Sequence, residues 1–392
     1  MKGKNVSRRD FLRTMGVSSC LAGFPVTEMG SIINTLAPTG IPTLMDAGNK
    51  PLSLHEAMYY QKLGGQSIQC EICPRKCKVA KQERGYCGVK ANYEGKYYTL
   101  VHSRACSVHI DPIEKKPLYH FIPRSSAFSM ATAGCNMMCK FCQNWQISQV
   151  RPEQLKNVSL TPQQIIDVCK KRHVESIAFT YSEPVIFYEY MYDTAKLGSQ
   201  QGVKSVMISN GYILKKPLQD LAQYLTAVKV DFKAYTEKFY QEICAGHLQP
   251  VLETLQTLKA INIWFELVYL MIPTLNDDLN NIQEMCNWIY KNLGPDVPLH
   301  FSRFYPQYQL VNLPPTPLST LTKARQIAMD QGINYVYVGN VPRHGGENTY
   351  CPNCQQLLIE RNGYFVLQNN INVRDKKGFC RFCSITIPGV WV

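Results

Sequence analysis

The sequence lacks any long uninterrupted hydrophobic segment. Its 392 residues contain no run of eighteen apolar residues, the length that would predict a membrane-spanning helix. It also lacks blocks of five or six like charges and arginine-rich segments, although the net charge is +13. A charge excess spread in this way is typical of a solvated surface, and no nucleic-acid-binding motif accompanies it. We therefore expect neither a transmembrane span nor a nucleic-acid partner.

Internal repeats and low-complexity tracts are absent as well. The length is sufficient for one large catalytic domain with one or two small modules. Hydrophobic residues make up 45% of the chain, which is compatible with a sizeable buried core.

Cysteine, by contrast, is abundant. Eleven of the sixteen cysteines fall into three groups with the spacing of metal ligands. A disulfide framework is typical of smaller secreted chains and does not need repeated Cys-x2-Cys pairs, so metal binding is the better interpretation. Among the isolated cysteines, Cys169, Cys244 and Cys286 are expected to be small core residues.

The middle group predicts a reactive iron–sulfur cluster. Cys135, Cys139 and Cys142 follow the pattern Cys-x3-Cys-x2-Cys. Three thiolates can hold three irons of a four-iron cluster and leave the fourth iron without a protein ligand. An iron with an open position is a reaction site. The alternatives are structural cysteines or a zinc ion completed by a distant fourth ligand, and zinc favours paired ligands that close the coordination shell.

The N-terminal group supplies four thiols, enough to close a metal site. Its spacing is Cys70-x2-Cys73-x3-Cys77-x9-Cys87. Both a tetrahedral zinc ion and a second iron–sulfur centre use four cysteines, so the identity of this metal stays open.

The C-terminal group predicts a zinc ribbon. Cys351-x2-Cys354 and Cys380-x2-Cys383 are two pairs separated by 25 residues, and the segment between them could form a short hairpin. Ribbons of this size staple a tail that cannot build its own core, so we expect a structural role.

Alternation of strands and helices predicts an α/β fold. From Ser126 onward, strand-like runs alternate with amphipathic stretches, which indicates parallel strands joined by crossover helices. The predicted strands are Phe128–Thr132, Ser176–Thr180, Val203–Ser209, Ala227–Phe232, Ile263–Leu270, Leu299–Phe304 and Tyr335–Gly339. The predicted helices are Pro162–His173, Phe187–Gln200, Leu248–Ile261, Leu279–Leu293 and Leu318–Gln331.

Six or seven such units are too few for a closed eight-fold barrel, so we predict an open, partial (β/α)6-type barrel. Residues 125–344 would form this core, with a cysteine-rich metal-binding segment at 49–124 and a zinc-ribbon-like tail at 345–392. Chemistry in such folds collects at the C-terminal ends of the strands.

Polar residues lie where that rule places an active site. In the fourth strand, period-two alternation puts Lys229, Asp231 and Lys233 on one face, opposite three apolar residues. An Asp and a Lys that project into a barrel interior should be paired, because an isolated buried charge is very costly. His300 shares a strand face with Ser302 and is a further candidate.

Taken together, these motifs resemble the radical S-adenosylmethionine (SAM) superfamily. Within it they are similar to the branch of pyruvate formate-lyase activating enzymes, and more closely to the AmmeMemoRadiSam-system radical SAM enzymes. The resemblance runs from about Cys70 to the C-terminus. The stretches that carry it are Asp111–Phe121, Gly134–Asn144, Phe179–Pro184, Asp231–Lys233, Pro298–Phe304 and Tyr337–Asn340.

The resemblance implies a role for each matching residue. Cys135, Cys139 and Cys142 would bind a [4Fe-4S] cluster whose open iron chelates SAM, and Phe141 would pack near the adenine. Tyr181-Ser182-Glu183-Pro184 takes the place of a Gly-Gly-Glu-Pro element that contacts the amino group; both glycines are missing, so Glu183 is the firmer assignment. The remaining residues expected around the ribose, methionine and carboxylate are Asn210, Asp231, Lys233 and His300.

The implied function is reductive cleavage of SAM to methionine and a 5′-deoxyadenosyl radical, which abstracts hydrogen from an unidentified protein or peptide substrate. The alternatives are a glycyl-radical enzyme activase and an iron–sulfur electron-transfer protein without SAM chemistry. The implied partners are a flavodoxin- or ferredoxin-like reductant and a protein substrate such as a Memo-like or AMMECR-like protein.

The N-terminus predicts a separate leader. Ser7–Arg13 resembles a twin-arginine export signal and precedes a weakly apolar stretch, so residues 1–48 are assigned to a leader and linker. Export and a SAM requirement conflict, because this cofactor is made in the cytoplasm. The cellular location is therefore left open.

Overall fold

The computed structural model describes residues 54–341 and 344–392, and all of them fall in one compact unit. The predicted leader lies outside the described residues. At the centre is one eight-stranded sheet in which the first strand is antiparallel to its neighbour and the other seven are parallel. Its strands are β1 (Ser107–Pro112), β2 (Ser126–Ala131), β3 (Ser176–Phe179), β4 (Lys204–Ser209), β5 (Ala227–Asp231), β6 (Trp264–Met271), β7 (Leu299–Arg303) and β8 (Val336–Gly339).

Neighbours in this sheet follow the order of the chain, and a helix connects each pair of successive parallel strands. The helices are α1 (Pro162–Lys171), α2 (Tyr188–Gln200), α3 (Lys215–Ala222), α4 (Leu248–Ala260), α5 (Leu279–Leu293) and α6 (Leu318–Asp330). The predicted α/β architecture is confirmed, with seven parallel strands at the predicted positions. The sheet is open, since β1 and β8 are its edges.

Helix α3 was not predicted from the sequence. It has only eight residues and carries Pro217 in its first turn. Because the helix is so short, the spacing of its apolar residues does not reveal a helical period in the sequence. Helix α1, by contrast, begins as predicted: Pro162 occupies the first turn, and the Thr161 side chain accepts a hydrogen bond from the backbone N–H of Gln164.

The core lies between the sheet and these helices. On β5, Val228 and Val230 are fully buried in it. Helix α5 contributes an apolar stripe at helical spacing, including Ile282, Met285 and Cys286. Cys286 and Cys169 are buried core residues, as predicted.

The N-terminal part adds small antiparallel sheets. Its strands are His55–Glu56, Tyr60–Lys62, Ile68–Cys70, Lys78–Val79, Lys90–Tyr93, Lys96–Thr99 and Arg104–Ala105, the last of which pairs with Val158–Ser159. A buried ion pair joins this part to the core, because the Lys90 ammonium contacts the Glu189 carboxylate on α2. Pairing is what makes the burial of both charges tolerable.

The C-terminal part consists of two three-stranded antiparallel sheets. Its strands are Thr349–Tyr350, Leu357–Asn362, Phe365–Asn369, Ile371–Arg374, Lys377–Cys380 and Thr386–Ile387. Leu357–Asn362 and Phe365–Asn369 form the predicted hairpin. Arg361 ties it to the rest of the molecule by donating from Nη2 to the Tyr119 carbonyl at 2.8 Å.

Short helical segments complete the described chain. They are Gly64–Gln66, Ile113–Lys115, Trp145–Ser148, Pro152–Gln154, Pro184–Phe187, Glu237–Phe239, Tyr240–Cys244 and Gly345–Glu347. None of the helices in the described ranges has the length and apolar character needed to cross a membrane.

Candidate active site

A cavity of about 490 Å³ opens at the C-terminal ends of the parallel strands. The loops after β2, β3 and β4 and the end of β5 supply its walls. Eight of the nine residues predicted for cofactor binding line it: Cys135, Cys139, Phe141, Cys142, Glu183, Asn210, Asp231 and Lys233.

The loop that carries the three cysteines follows β2 and is tightly anchored. Gly134 has φ +94°, and a Cβ on it would lie 2.7 Å from the Cys87 carbonyl oxygen, so only glycine fits. The amides of Met138 and Lys140 donate to the carbonyls of Cys244 and Ile243, at 3.0 and 2.9 Å. These bonds fix the loop on the segment between β5 and α4.

Two of the three thiols, those of Cys135 and Cys142, are buried where a bound cation would favour their ionised form. Burial raises the pKa of the Cys135 thiol well above its ordinary value and also raises that of Cys142. The Met137 amide donates to Cys135 Sγ at 3.4 Å, and Ser148 Oγ lies 3.1 Å from Cys142 Sγ. Because metal ligands are thiolates, a bound cationic cluster would supply the charge that burial otherwise disfavours.

Cys244, which was predicted to be an ordinary core residue, is fully buried but lies beside the triplet. Its thiol forms a side-chain hydrogen bond with Cys139 that lowers the pKa of Cys139, and Lys233 adds to the same effect. No motif indicates this contact, since about one hundred residues separate the two cysteines along the chain.

Glu183 organises the ends of two neighbouring strands. Its carboxylate accepts hydrogen bonds from Ser209 Oγ at 2.6 Å, the Asn210 amide at 2.8 Å and the Val185 amide at 3.1 Å. Burial raises the pKa of Glu183 to about 7 in spite of these donors. A carboxylate has about four acceptor positions, so one remains for a ligand in the cavity.

Asn210 links this strand end to the cysteine loop. Its Nδ2 donates to Asn136 Oδ1 at 2.8 Å, and Asn136 in turn donates to the Tyr212 carbonyl at 2.9 Å. Asn136 directly follows Cys135, the first cysteine of the triplet, in the chain. The network therefore holds the loop after β2 and the loop after β4 in a fixed relation.

Lys229, Asp231 and Lys233 line the cavity together, which confirms that they share one face. Lys229 Nζ donates to Asp231, and Lys233 Nζ lies 4.0 Å from the same carboxylate, so the predicted Asp–Lys pairing is confirmed too. Burial alone would lower the pKa of Lys233, but Cys139 and Asp231 outweigh burial and raise it. The Lys233 ammonium also lies 5.5 Å from the centre of the Phe141 ring.

His300 lies apart from this group. It is buried, and its Nε2 bonds Glu266 at 2.8 Å while its ring stacks on Tyr337 with centroids 4.8 Å apart. The cavity lining includes Ser302, two residues further along β7, but not His300.

One side of the cavity comes from residues that the motif analysis did not single out. Lys116 lines it and pairs with Asp111 at 2.6 Å, and Lys115 reaches the same carboxylate at 2.8 Å. Burial by itself would raise the pKa of Asp111, but the two ammonium groups and the Tyr181 hydroxyl hold it well below its usual range. The Asp111–Phe121 stretch had pointed to this region without identifying a residue.

Tyr181 adopts a backbone conformation that favours glycine. Its φ is +65°, and it stands at the first position of the element that resembles Gly-Gly-Glu-Pro. Its hydroxyl donates to Asp111 at 2.5 Å, and the Lys116 ammonium lies 4.4 Å from its ring centre. These contacts offset the strain of a non-glycine residue there, and they explain how the turn persists without the glycine.

The C-terminal hairpin reaches the rim of the cavity. Tyr364, at its turn, is among the lining residues. Arg124 fastens the hairpin by donating to the carbonyls of Val366 and Leu367, at 3.2 and 2.9 Å. The tail, predicted to be purely structural, therefore also contributes to the walls of the site.

The four C-terminal thiols lie close together. Cys351 Sγ is 3.5 Å from Cys383 Sγ, and Cys354 Sγ is 3.7 Å from Cys380 Sγ. All four ligand atoms lie within 4.8 Å of one another, so the group could hold a metal ion.

Comparison with known proteins places this geometry in context. Residues 130–288 match the family model of the Radical SAM superfamily. An uncharacterized protein of Methanocaldococcus jannaschii is 43% identical over 331 residues, which cover 84% of this chain and 98% of that protein. The pyruvate formate-lyase-activating enzyme of Clostridium pasteurianum is 23% identical over 166 residues, 41% of this chain and 67% of that enzyme. A solved radical SAM methyltransferase from Sphaerobacter thermophilus has a TM-score of 0.47 at 13% identity, covering 75% of this chain and 79% of that structure.

Proposed function

The chain belongs to the radical SAM superfamily, and we propose that the cavity beside Cys135, Cys139 and Cys142 binds a [4Fe-4S] cluster and SAM. Together these groups supply one-electron cleavage of SAM to methionine and a 5′-deoxyadenosyl radical that abstracts hydrogen from substrate. The observation that carries the proposal is the meeting of three thiols with Glu183 and Lys233 around one cavity.

The contribution of the protein is mainly to position groups. Glu183 has one acceptor position left for an amino group, and the Lys233 ammonium is available to a carboxylate. Asp231 offers acceptors for hydroxyl groups, and Phe141 offers an apolar face for an aromatic base. The pairing of Asp231 with Lys229 and Lys233 keeps these charges fixed, so they need little reorganisation when a ligand enters.

The Clostridium pasteurianum relative is named as an activating enzyme of pyruvate formate-lyase, and by analogy we further propose that the substrate of this chain is a protein or peptide. A Memo-like or AMMECR-like protein is the candidate, and a flavodoxin- or ferredoxin-like protein is the proposed reductant. The rim of the cavity is an argument for a large substrate. Tyr364 lines the cavity, and the side chains of Phe365 and Leu367, which follow it in the hairpin, are exposed apolar surface that a protein could contact.

A glycyl-radical activase is a narrower version of the same proposal and would use the same site. An electron carrier without SAM chemistry is disfavoured, because it would need neither an open iron nor the charged residues opposite the triplet. For the C-terminal quartet we propose zinc, since its short sulfur–sulfur distances suit tetrahedral coordination.

We also propose the division of the chain into a metal-binding segment at 49–124, a catalytic core at 125–344 and a ribbon at 345–392.

The cleavage reaction can be tested directly. Anaerobically reconstituted protein, supplied with dithionite and SAM, should release 5′-deoxyadenosine and methionine. Cys139→Ala should abolish this release while the zinc content of the protein stays the same. If verified cluster assembly is followed by no cleavage, the proposed function is wrong.

Substrate identity needs a second experiment. Candidate protein partners, labelled with deuterium, would be added to the cleavage assay one at a time. The substrate should transfer deuterium to 5′-deoxyadenosine, and a partner that stimulates cleavage without transfer would be an effector instead.

A further inference from the structure

The N-terminal quartet, Cys70, Cys73, Cys77 and Cys87, has no part in the proposed reaction, yet its residues are held in a defined arrangement. Cys70 ends a strand, and its amide donates to the Cys77 carbonyl at 2.9 Å, which closes the loop that carries Cys73. Cys87 completes the set from the next turn. All four residues line one cavity.

The spacing of these thiols differs from that of the C-terminal quartet. Thiolates around one zinc ion lie about 3.8 Å apart, because each is ~2.3 Å from the metal. Thiolates around a cubane lie on the order of 6 Å apart, because each binds an iron at a different corner. In the described ranges, the C-terminal quartet is the one all-cysteine group whose sulfurs all lie within 4.8 Å of one another. In the N-terminal quartet, by contrast, the sulfurs do not all lie within 4.8 Å of one another, and the same holds for the triplet Cys135, Cys139 and Cys142.

The segment that carries the quartet also contacts the loop that carries Cys135, Cys139 and Cys142, which is called the catalytic loop below. Arg75, between Cys73 and Cys77, donates from Nε to the Asn136 carbonyl at 2.5 Å, next to the first cysteine of the triplet. Its guanidinium lies 3.5 Å from the centre of the Tyr86 ring. Cys87 and Cys135 line the same surface cavity of about 680 Å³.

We propose that Cys70, Cys73, Cys77 and Cys87 bind a second four-iron cluster, fully ligated by cysteine, that relays electrons to the catalytic site. One electron would pass from the quartet to the triplet, so the former is oxidised and the latter reduced, with no atom transferred. A ferredoxin- or flavodoxin-like one-electron donor would then reduce the quartet again. The relay rests on the proposed function, whereas the cluster assignment does not.

Metal content decides the assignment. Wild-type protein reconstituted with iron and sulfide should hold about eight irons and one zinc per chain. A triple variant, Cys135→Ala/Cys139→Ala/Cys142→Ala, should retain about four irons and a reduced-cluster electron paramagnetic resonance signal that SAM does not alter, since no iron is open. About four irons and two zincs in the wild type, or an iron-free triple variant, would overturn the assignment. The wild-type count does not depend on any variant folding.

The relay is tested with two reductants. Cys77→Ala should slow reduction of the catalytic cluster by flavodoxin at least tenfold, while reduction by dithionite, a small molecule that can reach the catalytic site itself, should be unchanged. Equal rates for variant and wild type with flavodoxin, or equal loss with both reductants, would exclude the relay. Failure of SAM cleavage with dithionite in the wild type would instead count against the proposed function.

Discussion

Glu183 is the side chain whose replacement should disturb the site most selectively. Glu183→Gln keeps the shape of the side chain but replaces one acceptor oxygen by an NH2 donor, which must then face another donor, the backbone N–H of Val185 or that of Asn210. Leaving a buried donor unsatisfied costs about 1–3 kcal/mol. We expect a loss of that size in the free energy of unfolding and at least tenfold weaker SAM binding, measured by denaturant titration and calorimetry.

The exposed Glu284 on α5 provides the matched control. Glu284→Gln should change neither quantity. Unaltered SAM affinity in Glu183→Gln would remove Glu183 from the proposed binding site.

His120 should make stability depend on pH. It is buried between Pro388 and Tyr337: its Nδ1 donates to the Pro388 carbonyl at 2.7 Å, so Nε2 accepts from the Tyr337 hydroxyl at 2.6 Å. Burial lowers the pKa of His120 from 6.5 to about 4. Between these values the unfolded chain binds a proton and the folded chain does not, so the free energy of unfolding falls as the pH drops from 6.5 to 4, by up to about 3 kcal/mol.

This dependence is measured by urea unfolding at pH 7 and pH 5 on anaerobic holoenzyme. His120→Gln should be less stable at pH 7 but lose less stability on acidification than the wild type. His173→Asn, at an exposed position with φ +53° that asparagine tolerates, is the control and should follow the wild type. An unchanged acid dependence in His120→Gln would contradict the assignment.

At the scale of elements, we predict that the C-terminal hairpin, Leu357–Asn362 with Phe365–Asn369, contacts the substrate. Tyr364 lines the cavity from its turn, whereas the exposed Phe382 belongs to the same C-terminal part but is not among the lining residues. Tyr364→Ala should leave SAM cleavage without substrate intact and reduce substrate-stimulated cleavage several-fold. Phe382→Ala should affect neither rate. Equal stimulation in Tyr364→Ala and wild type would assign the hairpin a structural role only.

Elements were easier to predict than the contacts between them. The alternation of strand-like and helix-like segments identified the parallel strands. Each strand is a short apolar run, and in Val228–Lys233 apolar and polar residues also alternate with a period of two. The alternation missed α3, a helix of only eight residues with Pro217 in its first turn. It gave no sign of the Tyr181–Asp111 bond, because that contact joins residues 70 positions apart.

For the site as well, residues within local motifs were predicted correctly, whereas a position that depends on contacts between elements was not. The cysteine triplet and Glu183 lie in local motifs, and each motif follows a strand end, so their meeting could be anticipated. His300 shares its strand face with Ser302, yet the ring of Tyr337 and the carboxylate of Glu266 hold it away from the cavity. Alternation assigns a face but does not say how deep along the strand the cavity extends.

At the scale of the whole molecule, the three cysteine groups belong to one compact unit. The N-terminal part reaches the catalytic loop through Arg75, and the C-terminal part reaches the rim through Tyr364. A substitution in either flanking part should therefore alter the central cavity. In a catalytic core with independent flanking domains, it would not.

The most direct test of the central claim is whether SAM binds at an open iron held by Cys135, Cys139 and Cys142. The measurement is the electron paramagnetic resonance spectrum of dithionite-reduced protein before and after addition of SAM. The account predicts that SAM shifts the signal of one cluster, and that the shift disappears in the variant lacking the triplet. A spectrum that SAM leaves unchanged in the fully reconstituted wild type would contradict it.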